Sequence, residues 1–477
     1  MYMLSINPGT VVGLAPDDQV RLAKLLDVFN NHSAKNEQKN RYYEGKISLS
    51  EVNLGIALPV TMRNLEIGCA WGAKAVDVLA SRSMFDGFVG QDGMADDELT
   101  QITVDNRLIA EYQKACRDEL KYGVTFATLS ARSARDRARV KIRWHSAQTA
   151  AAIWSGEKCR IDYGMAIIDT APDGSDSLAW SPSRVNMYTD TDVIVLEREG
   201  DMWSAYYMPH RMGRPLMEPM IYDATSQKPF GRSRIKEPVR RLIQGYVRTI
   251  ANATIGLEFA TSPQKYILGV TDEQYDVLIT QKFKQYVGSI IAATANPDTG
   301  EKPSFGQLQQ GSLTPHVEML RVLATQFSAA TGLSIMDTGV VNNANPTSSD
   351  AVIAQEKTLI IMAEQLNTSN REALRTIAQM ALAIKHSTTL DEVETTAIPH
   401  FKNPAMPSVS ATADAALKIA TARQGFANTD VFAEMIGFDI ADIRRIKAQE
   451  QRAAGLAMLS GLESSIRDIE ATGGDDT

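Results

Sequence analysis

Two tripeptides in this chain have a composition suited to acid–base chemistry. Asp337-Thr338-Gly339 and Asp298-Thr299-Gly300 repeat an Asp-Thr-Gly unit. When two such units pair, their carboxylates share one proton, because like charges about 3 Å apart do not both ionise. Ile335-Met336 gives the first copy an apolar lead. The second sits in Asn296-Pro297-Asp298-Thr299-Gly300-Glu301-Lys302-Pro303, which is turn chemistry. The hairpin framework such a dyad needs surrounds neither copy, so an aspartic-type protease stands only as a minor alternative.

The other reactive residues are dispersed. Cys69, Cys116 and Cys159 are too few and too far apart for a disulfide framework or a zinc cluster, and read as reduced thiols of a cytosolic compartment. His32, His145, His210, His316, His386 and His400 stand singly. No Gly-x-Gly-x-x-Gly, Walker A, His-Glu-x-x-His, Cys-x-x-Cys or nucleophile elbow is present. The sequence therefore predicts no catalytic residue, no metal and no cofactor. One charged cluster stands out: Arg132, Arg135, Arg137, Arg139, Lys141 and Arg143, with Asp136 as the single acid among them. It reads as a solvated helix end and strand edge, or as a contact patch for nucleic acid or an acidic neighbour. No aromatic residues interleave to stack single-stranded bases.

The elements that position these residues follow from periodicity. Residues 16–135 read as mainly helical. Asp17 caps a helix with Val20, Ala23, Leu26 and Phe29 in one stripe. Further helices fit about 61–82, with Ile67, Trp71, Val78 and Leu79 inward, and about 97–121. From about 138 to 225 the period is that of strands: Val140, Ile142 and Trp144 alternate with Lys141 and Arg143, and Glu199-Gly200-Asp201 joins a hairpin. A helix follows Phe230–Ile235, carrying Val239, Leu242, Ile243, Tyr246, Val247, Ile250 and Leu257. A mixed segment comes next, with a strand at Tyr266–Leu268, a helix at about 272–287 and a loop at Asn296–Phe305. Thr314-Pro315 opens a second helix that stops at Gly332. After the Gly/Asn-rich loop Asp337–Pro346, Thr347-Ser348-Ser349-Asp350 opens a helix over 348–386, about 58 Å long at 1.5 Å per residue. A kink is expected at its run of weak helix formers, Asn367-Thr368-Ser369-Asn370. Helices at about 410–424, 429–436 and 440–469 complete the chain.

Four segments run in a familiar order. They are Arg41-Tyr42-Tyr43-Glu44-Gly45-Lys46 with Phe85-Asp86-Gly87-Phe88, then Phe230-Gly231-Arg232-Ser233-Arg234-Ile235, then Ser312-Leu313-Thr314-Pro315-His316 with Ala330-Thr331-Gly332-Leu333, and last Asn345-Pro346-Thr347-Ser348-Ser349-Asp350-Ala351 through Glu356. Over about residues 38–455 this order and spacing resemble the portal (connector) proteins of tailed bacteriophages, of the siphophage type. The resemblance implies an α+β, mainly α, portal fold. Its parts would be a wing at 1–232 (helical 1–137, β-rich 138–232), stem helices at 233–258 and 314–332, and a clip at 259–313. A tunnel loop at 333–347, a long tunnel helix with wing return at 348–405, and a crown at 406–477 would complete it. It implies a dodecameric ring at one capsid vertex, a channel for double-stranded DNA in packaging and ejection, assembled in the host bacterial cytoplasm and working in the virion. The partners it implies are the terminase large subunit, the head–tail adaptor, and the major capsid and scaffold proteins. Arg240, Arg241, Arg248 and Ile250 would lie in the stem, and Val340, Val341, Asn342, Asn343 and Asn345 in the tunnel loop. A different virion part, a scaffold or an adaptor, is the alternative.

The composition fits a conduit. Against 49 Lys+Arg stand 57 Asp+Glu among 477 residues, a formal net charge of −8. That balance disfavours a tight grip on nucleic acid or an anionic membrane. No apolar run approaches the ~20 residues of a membrane span, and the N-terminus does not read as a signal peptide.

Overall fold

The computed structural model describes residues 4–47, 67–90, 96–131, 139–173, 176–261, 265–269, 300, 302, 304–307, 312–340, 349–393, 397–405, 409–423, 425–438 and 440–472. In chain order these hold α1 (Pro16–Tyr43), α2 (Trp71–Arg82), β1 (Phe85–Val89), α3 (Asp97–Asp105), α4 (Leu108–Tyr122), β2 (Val124–Ala131), β3 (Val140–Ser146), β4 (Ala150–Ser155), β5 (Arg160–Asp173) and β6 (Asp176–Tyr188). There follow β7 (Asp192–Glu199), β8 (Met202–Pro209), β9 (Met217–Ile221), α5 (Glu237–Thr261), β10 (Lys265–Leu268), β11 (Ser304–Gln307), α6 (Thr314–Thr331), α7 (Ser349–His386), β12 (Ile398–Phe401), α8 (Val409–Ala422), α9 (Asp430–Ile436) and α10 (Ile440–Thr472). The architecture is α+β. The chain divides into two compact units: Met1–Glu37 with Asp77–Arg234 and Leu359–Thr477, and Gln38–Val76 with Ile235–Thr358.

The first unit is built on antiparallel sheets. Strands β4 to β8 lie in sequence order, as hairpin connections require, and β3-β2-β9 form a second sheet. One face of the larger sheet, through Tyr163, Met165, Val185, Met187, Ile194 and Leu196, packs on Leu22, Leu25, Leu26 and Phe29 of α1. The expected stripe of α1 is therefore out of phase: Val20 is 57% exposed and Ala23 is exposed. Asp17 lies inside the first turn, where its charge complements the helix dipole, instead of capping it.

Three other expectations are corrected here. The helix expected at about 97–121 breaks at Asn106-Arg107, where Arg107 is left-handed (φ 51°). Asn106 uses its amide on the carbonyls of Ile102 (3.0 Å) and Val140 (3.2 Å) and accepts from Ile142 N (3.0 Å), tying the break to β3. The stretch Val124–Ala131, expected to be helical, is strand β2, buried over its first six residues. A strand covered on both faces shows a continuous run and no alternation, so its period gives nothing away. Helix α7 runs unbroken through Asn367–Asn370, with no kink, because its amides turn inward to buried partners: Asn367 accepts from Ser83 and Asn370 donates to Tyr112 and Glu119.

In the second unit α5 and α6 pack on each other, and β10 pairs antiparallel with β11. Ser304 and Phe305, expected in a loop, belong to that strand pair. The helix expected at about 272–287 lies outside the described residues. Helix α2 begins at Trp71, well after the expected 61; Gly68 and Cys69 precede it in extended chain, and 61–66 lie outside the described residues. Two close backbone approaches fix this segment. A Cβ on Gly72 would stand 2.0 Å from the Tyr42 carbonyl oxygen, and one on Gly45 (φ +70°) 2.8 Å from that of Cys69.

Candidate functional site

Helix α5 presents Val239, Ile243, Val247 and Ala251, a buried ladder at four-residue spacing. Helix α6 answers with Leu323, Ala324 and Phe327. Gly245 allows the close approach: a Cβ there would lie 3.1 Å from Leu323 Cδ2. At its C-terminus α6 stops at Gly332, left-handed at φ 70°, as expected. At its start the N-cap is Leu313, one residue before the expected Thr314, and Ser312 Oγ accepts from Thr314 N (3.2 Å) in place of a side-chain cap.

Beyond Gly332 the chain makes a tight turn at Ile335–Thr338. Ser334 and Asp337 close a capping box on it, which assigns the Asp337 carboxylate a structural partner in the Ser334 backbone N–H (3.2 Å). Asp298 and Thr299 lie outside the described residues. Trp71 anchors the turn. Its ring stands 4.6 Å from that of Tyr246 on α5 and 4.7 Å from that of Phe327 on α6, and Nε1 donates to the Thr338 carbonyl at 3.0 Å. Gln244 on α5 donates to the Tyr42 hydroxyl at 2.5 Å. Burial pushes the neighbouring Cys69 thiol up to about 12, so it is an inert apolar filler.

The expected stem residues divide by role. Arg240 and Arg241 both pair with Glu237 in the first turn of α5, and their hydrogen bonds, led by Arg240's, hold its carboxyl below the usual range. Arg248 forms no ion pair among the described residues. It lines a cleft of about 310 Å³ with Gly245, Thr249, Asn252, Pro315, His316 and Met319. Ile250 is half-buried. On α6, Val317, Met319 and Val322 are 46–49% exposed, a set of apolar side chains with nothing packed over them.

Of the expected loop residues only Val340 is described, half-buried; Val341, Asn342, Asn343 and Asn345 lie outside. In the basic cluster Arg132, Arg135 and Arg137 also lie outside. Arg139 is exposed (φ 50°), and Lys141 and Arg143 share the half-exposed face of β3, where Arg143 donates to the Ile168 carbonyl at 3.2 Å. Among the described residues no group of His, Cys, Asp and Glu could hold a metal ion, and no helix is long and apolar enough to cross a membrane. Sequence reasoning missed the Trp71–Thr338 contact, for which no local pattern gives a signal.

A helix–strand pair–helix order, a turn anchored at the exit of the second helix and one long helix after it are now on the page. The model of the phage portal protein family, SPP1 Gp6-like, matches residues 22–456. The chain belongs to that family. Two relatives are portal proteins: that of Mycobacterium phage D29, 23% identical over 474 residues (96% of this chain, 93% of the relative), and that of Mycobacterium phage L5, 23% identical over 472 residues with the same coverage. Similar chains occur in the neck of an empty gene transfer agent particle computed with C6 symmetry (TM-score 0.44, 12% identity, 80% of this chain and 94% of that one) and in a native gene transfer agent virion (TM-score 0.43, 12% identity, 77% and 89%). This portal protein is thus a structural component of a phage particle.

Proposed function

We infer that the chain assembles as a ring of twelve copies at one capsid vertex and that double-stranded DNA passes through its centre during packaging and ejection. The observation that carries the reading is the family match across residues 22–456, joined to the α5–β10/β11–α6 order. In this reading α5 and α6 are the stem (233–258 and 314–332), and β10 and β11 belong to the clip (259–313), which meets the terminase large subunit and later the head–tail adaptor. The wing (1–232) holds the sheets. The long helix runs within 348–405, the crown is 406–477, and major capsid and scaffold proteins contact the ring during assembly in the host bacterial cytoplasm.

The exposed Val317, Met319 and Val322 support this reading, because a heterologous ring buries such side chains against the next copy. The loop 333–347, with Val340, Val341, Asn342, Asn343 and Asn345, offers apolar and amide contacts to DNA in place of salt-sensitive phosphate grips. The chain carries no phosphate-binding loop, so the energy of translocation comes from the terminase. Negative-stain images of the purified protein should show annular particles with a central channel. A monomer that persists even with capsid components present would overturn the reading.

A further inference from the structure

A chain of polar groups crosses the apolar interior of the first unit. Ser83 donates its proton to Asn367 Oδ1 (2.6 Å), so the Tyr112 hydroxyl supplies the proton of its own 2.7 Å bond to Ser83 Oγ. Asn370 Nδ2 uses one proton on Tyr112 Oη (3.0 Å) and the other on Glu119 Oε2 (2.8 Å). Ser83, Tyr112, Glu119 and Asn370 are each 0% exposed. Every proton on Ser83, Tyr112 and the Asn370 amide is then in use, and two buried acceptors, Glu119 Oε1 and Asn370 Oδ1, have no partner. The cluster is one proton short.

No cation makes up the deficit. On α4, Arg117 pairs with Asp77 (3.6 Å) and Lys121 lies over the Tyr122 ring (5.2 Å). Burial raises the Asp118 carboxyl to about 6. The titratable groups facing Glu119 are Tyr112 and Cys116, both held neutral by burial. On α7, Arg371 lies over the Phe401 ring (5.9 Å) and Glu372 is exposed. On β1 and β12, Asp86 stands near His400 (3.9 Å) and Lys402 (3.8 Å). The buried Arg234 donates to the Tyr222 hydroxyl (3.1 Å). Glu119 itself forms no ion pair among the described residues.

We propose that Glu119 is built into the fold as the neutral acid, and that its proton is the working part of an alkali-sensitive clamp between α4 and α7. With a proton on Oε1, one of the two stranded acceptors becomes a donor and no charge is buried. Without it, a carboxylate with a single hydrogen bond stands among apolar neighbours, and the amide that fixes α7 loses its partner of choice. Burial accordingly raises this carboxyl to about 8. The folded value lies above the unfolded one, so the clamp is whole below the ordinary carboxylate range. It is lost progressively as pH rises to about 8 and falls no further above that. The clamp belongs to the single subunit and does not depend on ring assembly.

The test compares the full chain with Glu119→Gln by urea unfolding across pH about 5 to about 9. The unfolding constant of the wild type relative to the variant should rise about tenfold per pH unit up to about pH 8, then level. Parallel profiles would overturn the proposal. A second measurement needs no variant. Amide protection on α7 around Ala373–Ala378, corrected for intrinsic exchange, should fall over the same range while β5 and β6 hold theirs. Protection that stays flat on α7 counts against the clamp equally.

Discussion

The indole Nε1 of Trp71 donates to the main-chain carbonyl of Thr338 at 3.0 Å, across 267 residues of sequence. One side chain thereby fixes the turn at the exit of α6 while its ring sits between Tyr246 and Phe327. Trp71→Phe keeps an aromatic ring and removes the donor. The expected cost is about 1–3 kcal/mol, that of a buried carbonyl left unpaired. Trp71→Ala also empties the space between the helices and should cost about 3–5 kcal/mol. Urea midpoints rank the two; equal losses would show that the hydrogen bond contributes nothing.

Gly72 tolerates no side chain. A Cβ would stand 2.0 Å from the Tyr42 carbonyl oxygen, and no rotamer relieves a clash between backbones. Gly72→Ala is expected to cost at least about 3 kcal/mol, at the upper end of overpacking losses. Gly455→Ala on α10, where nothing lies within 4 Å, serves as the control and should gain up to about 1 kcal/mol of helix stability. Thermal melts of both variants decide it.

Ile250→Pro removes an N–H from the middle of α5 and drives the pyrrolidine ring against the Tyr246 carbonyl, at about 3 kcal/mol or more per subunit. If α5 is the stem, annular particles disappear from negative-stain fields. Rings of normal number and diameter would remove the stem assignment while leaving family membership untouched.

Acid should weaken the first unit through His145. This imidazole is buried, accepts or donates at Thr128 Oγ1 (2.9 Å), and is pushed down to about 4 by burial and then by the Arg143 charge. Its folded value lies below the unfolded one, so its contribution is intact above the ordinary histidine range and is lost as pH falls towards about 4. His145→Gln should flatten the loss between pH about 6.5 and about 4, and an unchanged acid limb would place the cause elsewhere.

The β-rich block, α5, α6, α7 and the three C-terminal helices were readable because each shows one period and clear punctuation, such as Gly332 after α6 and Glu199-Gly200-Asp201 between β7 and β8. Strand β2 was not, since both its faces are covered. The Asn367–Asn370 run was visible but pointed the wrong way. Helix propensity weighs each residue alone, whereas these amides are held by Ser83, Tyr112 and Glu119, which only the fold brings near. The anchoring of Thr338 by Trp71 was illegible for the same reason. The order of the segments, more than any single residue, pointed to the family.

The two close approaches before α2 have a practical consequence. Tyr42 touches Gly72 and Gly45 touches Cys69, so the chain that departs at Gly45 comes back to its starting point. Whatever lies between these contacts hangs from a stitched neck. Its length is decoupled from the packing on either side, because lengthening a loop whose ends are already joined adds only slowly to its entropy. Residues 46–68 are therefore the natural place to splice in an affinity tag or a fluorescent label without disturbing the helices around Trp71.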